Sequence, residues 1–224
     1  MIEWGSTLRP AIAYAIAEPD DHRLSGALGS HFDRPNDDDE QQRLRALVEL
    51  AQQGDADAFG QLYDHYVNSI FRFVRARVGS TQLAEDITGE AFLRALRSIN
   101  TFTWQGKDFG AWLTTIARNL ITDHYKSRRT QLEIVTDVPP ERETGRPGPD
   151  EDALATISNE ALLRAVNSLP ADQRDCILMR FIQELSIAET AQVLGKSEGA
   201  VKQLQLRGVR RLAKAVSEEA VTPP

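Results

Sequence analysis

The chain has 224 residues, 41% of them hydrophobic, which suffices for one ordinary domain or two small ones and leaves the choice to the linkers. No apolar run approaches the roughly 18 uninterrupted residues of a membrane-spanning helix, and Pro10–Ala17 is short and lacks the basic flank of a signal peptide, so the expectation is a soluble, cytoplasmic protein without membrane insertion. The net charge of −7 argues against a nucleic-acid partner only until it is assigned to segments: residues 1–43 hold nine acids and four bases, residues 131–160 hold eight acids and two bases, and the rest of the chain is left at +4.

Residues 1–43 mix Pro10, Pro19, Gly26, Gly29 and Pro35 with the run Asp37–Glu40 and show no sustained period. They read as an acidic, mostly disordered extension: a solvating tail in the plain reading, a mask for a basic face or a removable pro-segment in the functional one. Helical periodicity begins near Arg43 and is clearest from an N-cap at Asp55 through Phe59, Leu62, Tyr63, Tyr66, Ile70, Val74 and Val78 to Gly79. A second helix starts at Thr81, with Ala84, Ile87, Ala91, Ala95 and Ile99 along one side. A third lies between Lys107 and Arg129 and carries Phe109, Trp112, Leu113, Ile116, Leu120 and Ile121 at three- and four-residue steps. Three such stripes, buried together, predict a compact helical domain over residues 44–130.

Two surfaces of this domain carry chemistry. Opposite the third apolar stripe, Thr115, Arg118, Asn119, Thr122, Lys126 and Arg129 form one line, with Asp123 expected nearer the apolar side. Bases interleaved with Asn and Thr suit a DNA backbone and one or two read bases, whereas a merely solvated helix face mixes charge signs. Just upstream, Asn100–Lys107 forms a loop with two aromatics. Phe102 is expected to fold back on the core; for Trp104 a core anchor and a stacking platform for an unpaired base are both open. On the second helix Asp86, Glu90, Leu93 and Arg97 share the outer side, an apolar leucine within an acidic and polar patch. Acid repels DNA, so this face fits a protein partner. Gly89, in the helix interior at a cost of about 1 kcal/mol relative to alanine, marks a close approach or mere drift.

Residues 131–151 contain Pro139, Pro140, Gly145, Pro147, Gly148 and Pro149 among acids and read as a flexible acidic linker. Helical patterning returns with Ala153, Ile157, Leu162, Leu163 and Val166, stops at Leu169–Pro170 and resumes from Ala171, predicting a second helical domain over 152–217 and a tail over 218–224. The single cysteine, Cys176, lies in an apolar stretch and reads as an inert core thiol. Ser186–Glu189 has the S-x-x-E form of a capping box, Gly195–Lys196 reads as a turn, and Ser197 caps a helix whose apolar side holds Ala200, Val201, Leu204, Gly208, Val209 and Leu212. Lys202, Gln203, Leu206, Arg207, Arg210 and Lys214 fall on its outer side. This is the form of a helix-turn-helix whose second helix enters the major groove. Lys202 and Gln203 are the expected base readers, Leu206 a contact for a thymine methyl group, and Arg207, Arg210 and Lys214 phosphate contacts; an ordinary hairpin with a solvated basic face is the alternative. The whole is an all-α chain of two small domains.

The stretches Ala84–Leu96, Phe109–Asn119 and Leu169–Arg211, in this order over residues 44–215, resemble the extracytoplasmic-function (ECF) sigma factors of the sigma-70 family. The resemblance implies sigma region two over 44–130 and region four over 152–217, in a protein that binds RNA polymerase core, recognises minus-ten and minus-thirty-five promoter elements and assists opening. Its implied partners are the clamp helices of the polymerase's largest subunit, for the helix bearing Asp86, Glu90 and Leu93, the flap of the second-largest subunit, promoter DNA and an anti-sigma factor. It further implies that the loop with Trp104 and Lys107 and the helix with Asn119 capture flipped-out bases of the minus-ten element. The helix-turn-helix reads the minus-thirty-five element, and the linker threads the polymerase cleft. Gly89 departs from a usual glutamine, and Leu204 and Val209 stand where many members have arginine. Thr103–Gly106 together with Leu204–Arg210 is similar to the developmental subgroup of filamentous actinobacteria.

Other classes account for less. A stand-alone duplex-DNA regulator would share the helix-turn-helix but gives no reason for the aromatic-flanked basic element of the first domain. An anti-sigma or scaffold protein would not need two basic faces. His22, His31, His65 and His124 show no metal-ligand spacing with one another or with Cys176, and neither a phosphate loop nor a nucleophile motif is present. No catalytic residue, cofactor or metal is therefore expected.

Overall fold

The computed structural model describes Leu8, Ile12 and residues 38–104, 108–134 and 153–221. They fall into two compact units, one within Gln42–Gly148 and one within Met1–Gln41 and Pro149–Pro224. Every regular element among the described residues is helical, and no helix among them is long and apolar enough to cross a membrane.

The first unit is built on α1 (Asp38–Gln52), α2 (Ala56–Val78), α3 (Thr81–Ser98), a 3-10 turn at Ile99–Thr101 and α4 (Phe109–Ile134). Helix α1 starts earlier than the periodicity near Arg43 predicts, because the acids Asp38, Asp39 and Glu40 suit the positive end of a helix dipole. Its Leu44, Leu47, Val48 and Ala51, at helical spacing, are buried. Gly54, at φ 96°, turns the chain. Asp55 then caps α2, its Oδ1 accepting from the backbone N–H of Asp57 and Ala58 at 2.9 and 3.0 Å. Leu62, Tyr66, Ile70, Phe73 and Val74 form the buried side of α2, which ends on left-handed Gly79. Ser80 caps α3, which buries Ala84, Ile87, Ala91, Phe92 and Ala95.

Helices α2, α3 and α4 pack pairwise against one another. Where α4 begins, Phe109 meets Tyr66, and a Cβ on Gly110 would stand 2.8 Å from Tyr66 Cε1. The glycine is therefore what admits the tyrosine ring. Trp112 and Ile116, expected in the core stripe, are only half-buried, whereas Ala111, Thr114 and Ala117 are buried with Leu113, Leu120 and Ile121.

The second unit contains α5 (Ala153–Ser168), α6 (Ala171–Phe181), α7 (Ile187–Leu194) and α8 (Glu198–Val221). Helix α6 is buried nearly all round from Asp175 to Phe181, as befits an element enclosed by its neighbours. The capping box forms: Ser186 Oγ accepts from Glu189 N–H at 3.1 Å and Glu189 Oε2 from Ser186 N–H at 2.7 Å. Gly195, at φ 64°, closes α7, and Ser197 Oγ accepts from Ala200 N–H at 3.3 Å as α8 begins. A Cβ on Gly208 would meet Ile177 Cγ1 at 2.8 Å, so α6 and α8 approach closely there.

Two helices end later than the sequence expectation. Helix α4 runs past 130 to Ile134 and α8 past 217 to Val221. Leu8 and Ile12, one turn apart, are helical and buried, a pattern that reading 1–43 as mostly disordered does not contain. The remainder of that stretch before residue 38, residues 135–152 of the linker region and residues 222–224 lie outside the described residues.

Burial pushes the Cys176 thiol up to about 12; the Asp175 carboxylate adds to this and the Arg180 charge opposes it. The folded value lies above the unfolded one, so this group leaves stability unchanged below the ordinary thiol range, near 8.5, and lowers it as pH climbs towards the folded value. At about pH 8 the native protein is expected to resist iodoacetamide and to be labelled fully in urea. Mass spectrometry would detect the opposite result, stoichiometric labelling without denaturant.

Candidate nucleic-acid interfaces

In the first unit the outer side of α4 presents Asn119 and Lys126 exposed and Thr115, Arg118 and Thr122 half-buried. The two threonines are committed locally. Thr115 Oγ1 donates to Ala111 O at 3.0 Å and Thr122 Oγ1 to Arg118 O at 2.9 Å. Asp123 does not turn towards the apolar side: it is exposed, since at 100° per residue it stands about 40° from Asn119. The line of bases thus has an acid on one flank. Lys107 and the Arg129 side chain lie outside the described residues.

The loop before α4 is held from inside. Phe102 is buried as expected, with ring centroids 5.5 Å from Phe109 and 5.2 Å from Trp112. Trp104 is half-buried, edge-on to Phe102 at 5.1 Å, with the Arg45 guanidinium 5.3 Å above its ring. Its indole N–H is shielded and has no acceptor among the described residues, a deficit that costs about 1–3 kcal/mol in a buried group.

On α3, Asp86, Leu93 and Arg97 are exposed and Glu90 is half-exposed, with Glu90 Oε1 accepting from Arg94 Nε at 2.8 Å. Phe92 is buried. The apolar part of this face is larger than the sequence reading holds: Leu96 is 47% exposed beside Leu93 at 49%, and exposed Tyr63 from α2 stands edge-on to Phe92 at 4.7 Å. The three-residue step from Leu93 to Leu96 was the available signal. A Cβ on Gly89 would meet nothing within 4 Å, so the fold of this chain does not require that glycine.

In the second unit Lys202, Gln203, Arg207 and Lys214 are exposed on α8 and Arg210 is half-buried. Leu206 is not on this surface. It is 7% exposed, because α5, α6 and α7 all pack on α8 and the buried arc is wider than a single stripe. Buried in this way, Leu206 has no surface to offer a thymine methyl group, contrary to the sequence expectation. Gln205 is likewise buried, and its Oε1 accepts from Arg180 Nε at 3.0 Å. Arg180, itself 1% exposed, also donates through Nη1 to Leu185 O. One buried guanidinium thus joins α6, the loop before α7 and the start of α8. Exposed Arg211 extends the basic surface by a residue that the sequence reading omits.

Residues 62–131 match the model of sigma-70 region 2 and residues 159–212 that of sigma-70 region 4. The helix-turn-helix and the α3–α4 unit are therefore those of the sigma-70 family. Within it the chain belongs to the ECF RNA polymerase sigma factors. It is 51% identical over 187 residues, covering 84% of this chain and 71% of the relative, to the ECF RNA polymerase sigma factor BldN of Streptomyces coelicolor. That similarity agrees with the likeness to the subgroup of filamentous actinobacteria. SigD of Mycobacterium tuberculosis is 29% identical over 175 residues, covering 76% of this chain and 82% of its own. The fold is shared with the sigma factor RpoE of Bartonella quintana, solved with the anti-sigma factor NepR, at 23% identity and TM-score 0.61, covering 71% of this chain and 96% of that one.

Arg180→Met keeps the bulk but strands Gln205 Oε1 and Leu185 O without their donor. It is expected to destabilise the second unit by about 2–4 kcal/mol, read from urea denaturation. A change below about 1 kcal/mol would show that the guanidinium is replaceable by apolar packing.

Proposed function

We propose that this chain acts by binding alone, as the subunit that brings RNA polymerase core to promoters, and that its described surfaces divide the work. The observation that carries the reading is the distribution of charge over family-matched elements. Basic and amide side chains line the outer sides of α4 and α8, while α3 surrounds Leu93 and Leu96 with charges of both signs, Asp86 and Glu90 among Arg94 and Arg97. The α4 face, with Asn119 at its exposed centre and Trp104 in the loop before it, takes the unpaired minus-ten strand; Lys107 and Arg129 belong to the same proposed set. Phosphates are met by Arg118 and Lys126, and the bases by Asn119.

Lys202 and Gln203 read base edges of the minus-thirty-five element near the start of α8, and Arg207, Arg210 and Lys214 hold the backbone. Asp86, Glu90, Leu93 and Arg97 dock on the polymerase clamp, with Leu96 added to the set, and region four meets the flap. Two exposed leucines ringed by charge form the apolar centre and polar rim of a protein contact. The same class of partner that accompanies the Bartonella protein, an anti-sigma factor, is proposed for this chain. The proposed setting is the cytoplasm, where polymerase works, and the proposed domain limits are 44–130 for region two and 152–217 for region four. The chemistry of RNA synthesis stays with the polymerase.

Run-off transcription from genomic promoter fragments, with core polymerase and with or without this chain, tests the reading; no specific product in its presence would end it. Asn119→Ala is expected to slow open-complex formation about tenfold or more while sparing core binding, from the loss of polar contacts to a base. Reversing Asp86 and Glu90 to lysine should do the converse, weakening core association in a competition assay. Normal competition by that double variant would place the docking surface elsewhere.

A further inference from the structure

The region 2 match begins at residue 62, so α1 precedes it, yet α1 supplies the polar contacts that fix the loop between α3 and α4. Gln52, half-buried at the C-terminal end of α1, donates from Nε2 to both Ile99 O and Phe102 O, each at 2.9 Å. These carbonyls bracket the 3-10 turn Ile99–Thr101, so one amide group ties its two ends. Arg45 lies two helical turns earlier, at a seven-residue step that puts it on the same side of α1. Its guanidinium covers the Trp104 ring. From one face of one helix, two side chains hold residues 99, 102 and 104, while the Phe102 ring is locked against Phe109 and Trp112 at the start of α4.

We infer that Gln52 and Arg45 are positioning residues for capture of unpaired DNA: they order the loop before a base arrives, so that binding does not have to supply that ordering. The inference rests on the reading of this loop and α4 as the minus-ten surface. It differs from a purely structural role in what it requires of the bound state. Gln52 is bonded only to loop carbonyls in the hydrogen bonds that it donates, and Arg45 is exposed. Disturbing either should therefore loosen the loop while leaving the helical packing in place.

The test uses full-length protein in complex with core polymerase. The probe is a fork-junction DNA whose single-stranded minus-ten segment comes from a fragment that supports run-off transcription. Gln52→Glu is isosteric but sets a carboxylate against two carbonyl oxygens. It is expected to bind the fork about tenfold more weakly and to show faster amide exchange across residues 99–104, with core affinity unchanged and the melting temperature lowered by about a few degrees. Gln52→Lys, which restores a donor, should recover binding to within about twofold of the wild type, and Arg45→Gln, at an exposed site, should weaken it about threefold. Wild-type fork affinity and exchange in both Gln52→Glu and Arg45→Gln would overturn the inference. So would a loss of core affinity that parallels the loss of fork binding, since it would show that the whole unit and not the loop is disturbed. Asn119→Ala, measured alongside, separates the two layers: normal fork binding by that variant sinks the minus-ten reading, whereas an impaired Asn119→Ala beside normal Gln52→Glu and Arg45→Gln variants sinks the positioning role alone.

Discussion

Phe109 stands at the centre of an aromatic cluster, its ring centroid 5.5 Å from those of Tyr66, Phe102 and Trp112, and the arrangement of the first unit depends on that contact. The cluster fixes where α4 begins, since Gly110 gives the Tyr66 ring its room. It fixes how α4 is turned about its axis, because Phe109, Leu113, Leu120 and Ile121 must all face inward. With rotation and start both set, the helical repeat leaves no freedom in where Arg118, Asn119 and Lys126 project. Tight interior packing thus aims a polar surface that shares no atoms with it.

The second unit reaches the same end by a different route. Its recognition helix α8 is surrounded by three others and is held by apolar packing around Cys176, Ala191 and Val201. Hydrogen bonds from buried Arg180 to Gln205 and Leu185 add directional constraints that packing lacks. A buried charge is an expensive way to gain stability; here its bonds add fixed points between α6, the loop before α7 and α8 to the close packing of Gly208 on Ile177.

Much of this was legible from residue spacing alone. The caps at Asp55 and Ser186, the glycine stops at 79 and 195, and the division into two helical units all follow from local rules that act within a few residues. The acidic start of α1 escaped because a run of acids reads equally as solvated tail and as helix N-terminus, and only the tertiary burial of Leu44 and Leu47 decides. Leu206 was misplaced because a wheel assumes one buried stripe, while α8 is contacted by three helices. Asp123 was legible and only misread, since a four-residue step from Asn119 already puts it on the same side of α4. The contacts of Gln52 and Arg45 were invisible: they reach about 50 to 60 residues along the sequence, and nothing in periodicity reports such a partner.

The committed hydroxyls of Thr115 and Thr122 have a consequence for what α4 can tell apart. A hydroxyl whose hydrogen already belongs to the carbonyl one turn back keeps only lone pairs for a visitor. Phosphate oxygens bring lone pairs of their own and gain nothing from such a group. The N–H groups of an unpaired base bring hydrogens and do gain. In the proposed contact with unpaired DNA, these two side chains are thus left to accept from base N–H groups and not to donate to phosphate oxygens, so what they can sense is set by how the helix spends its own protons.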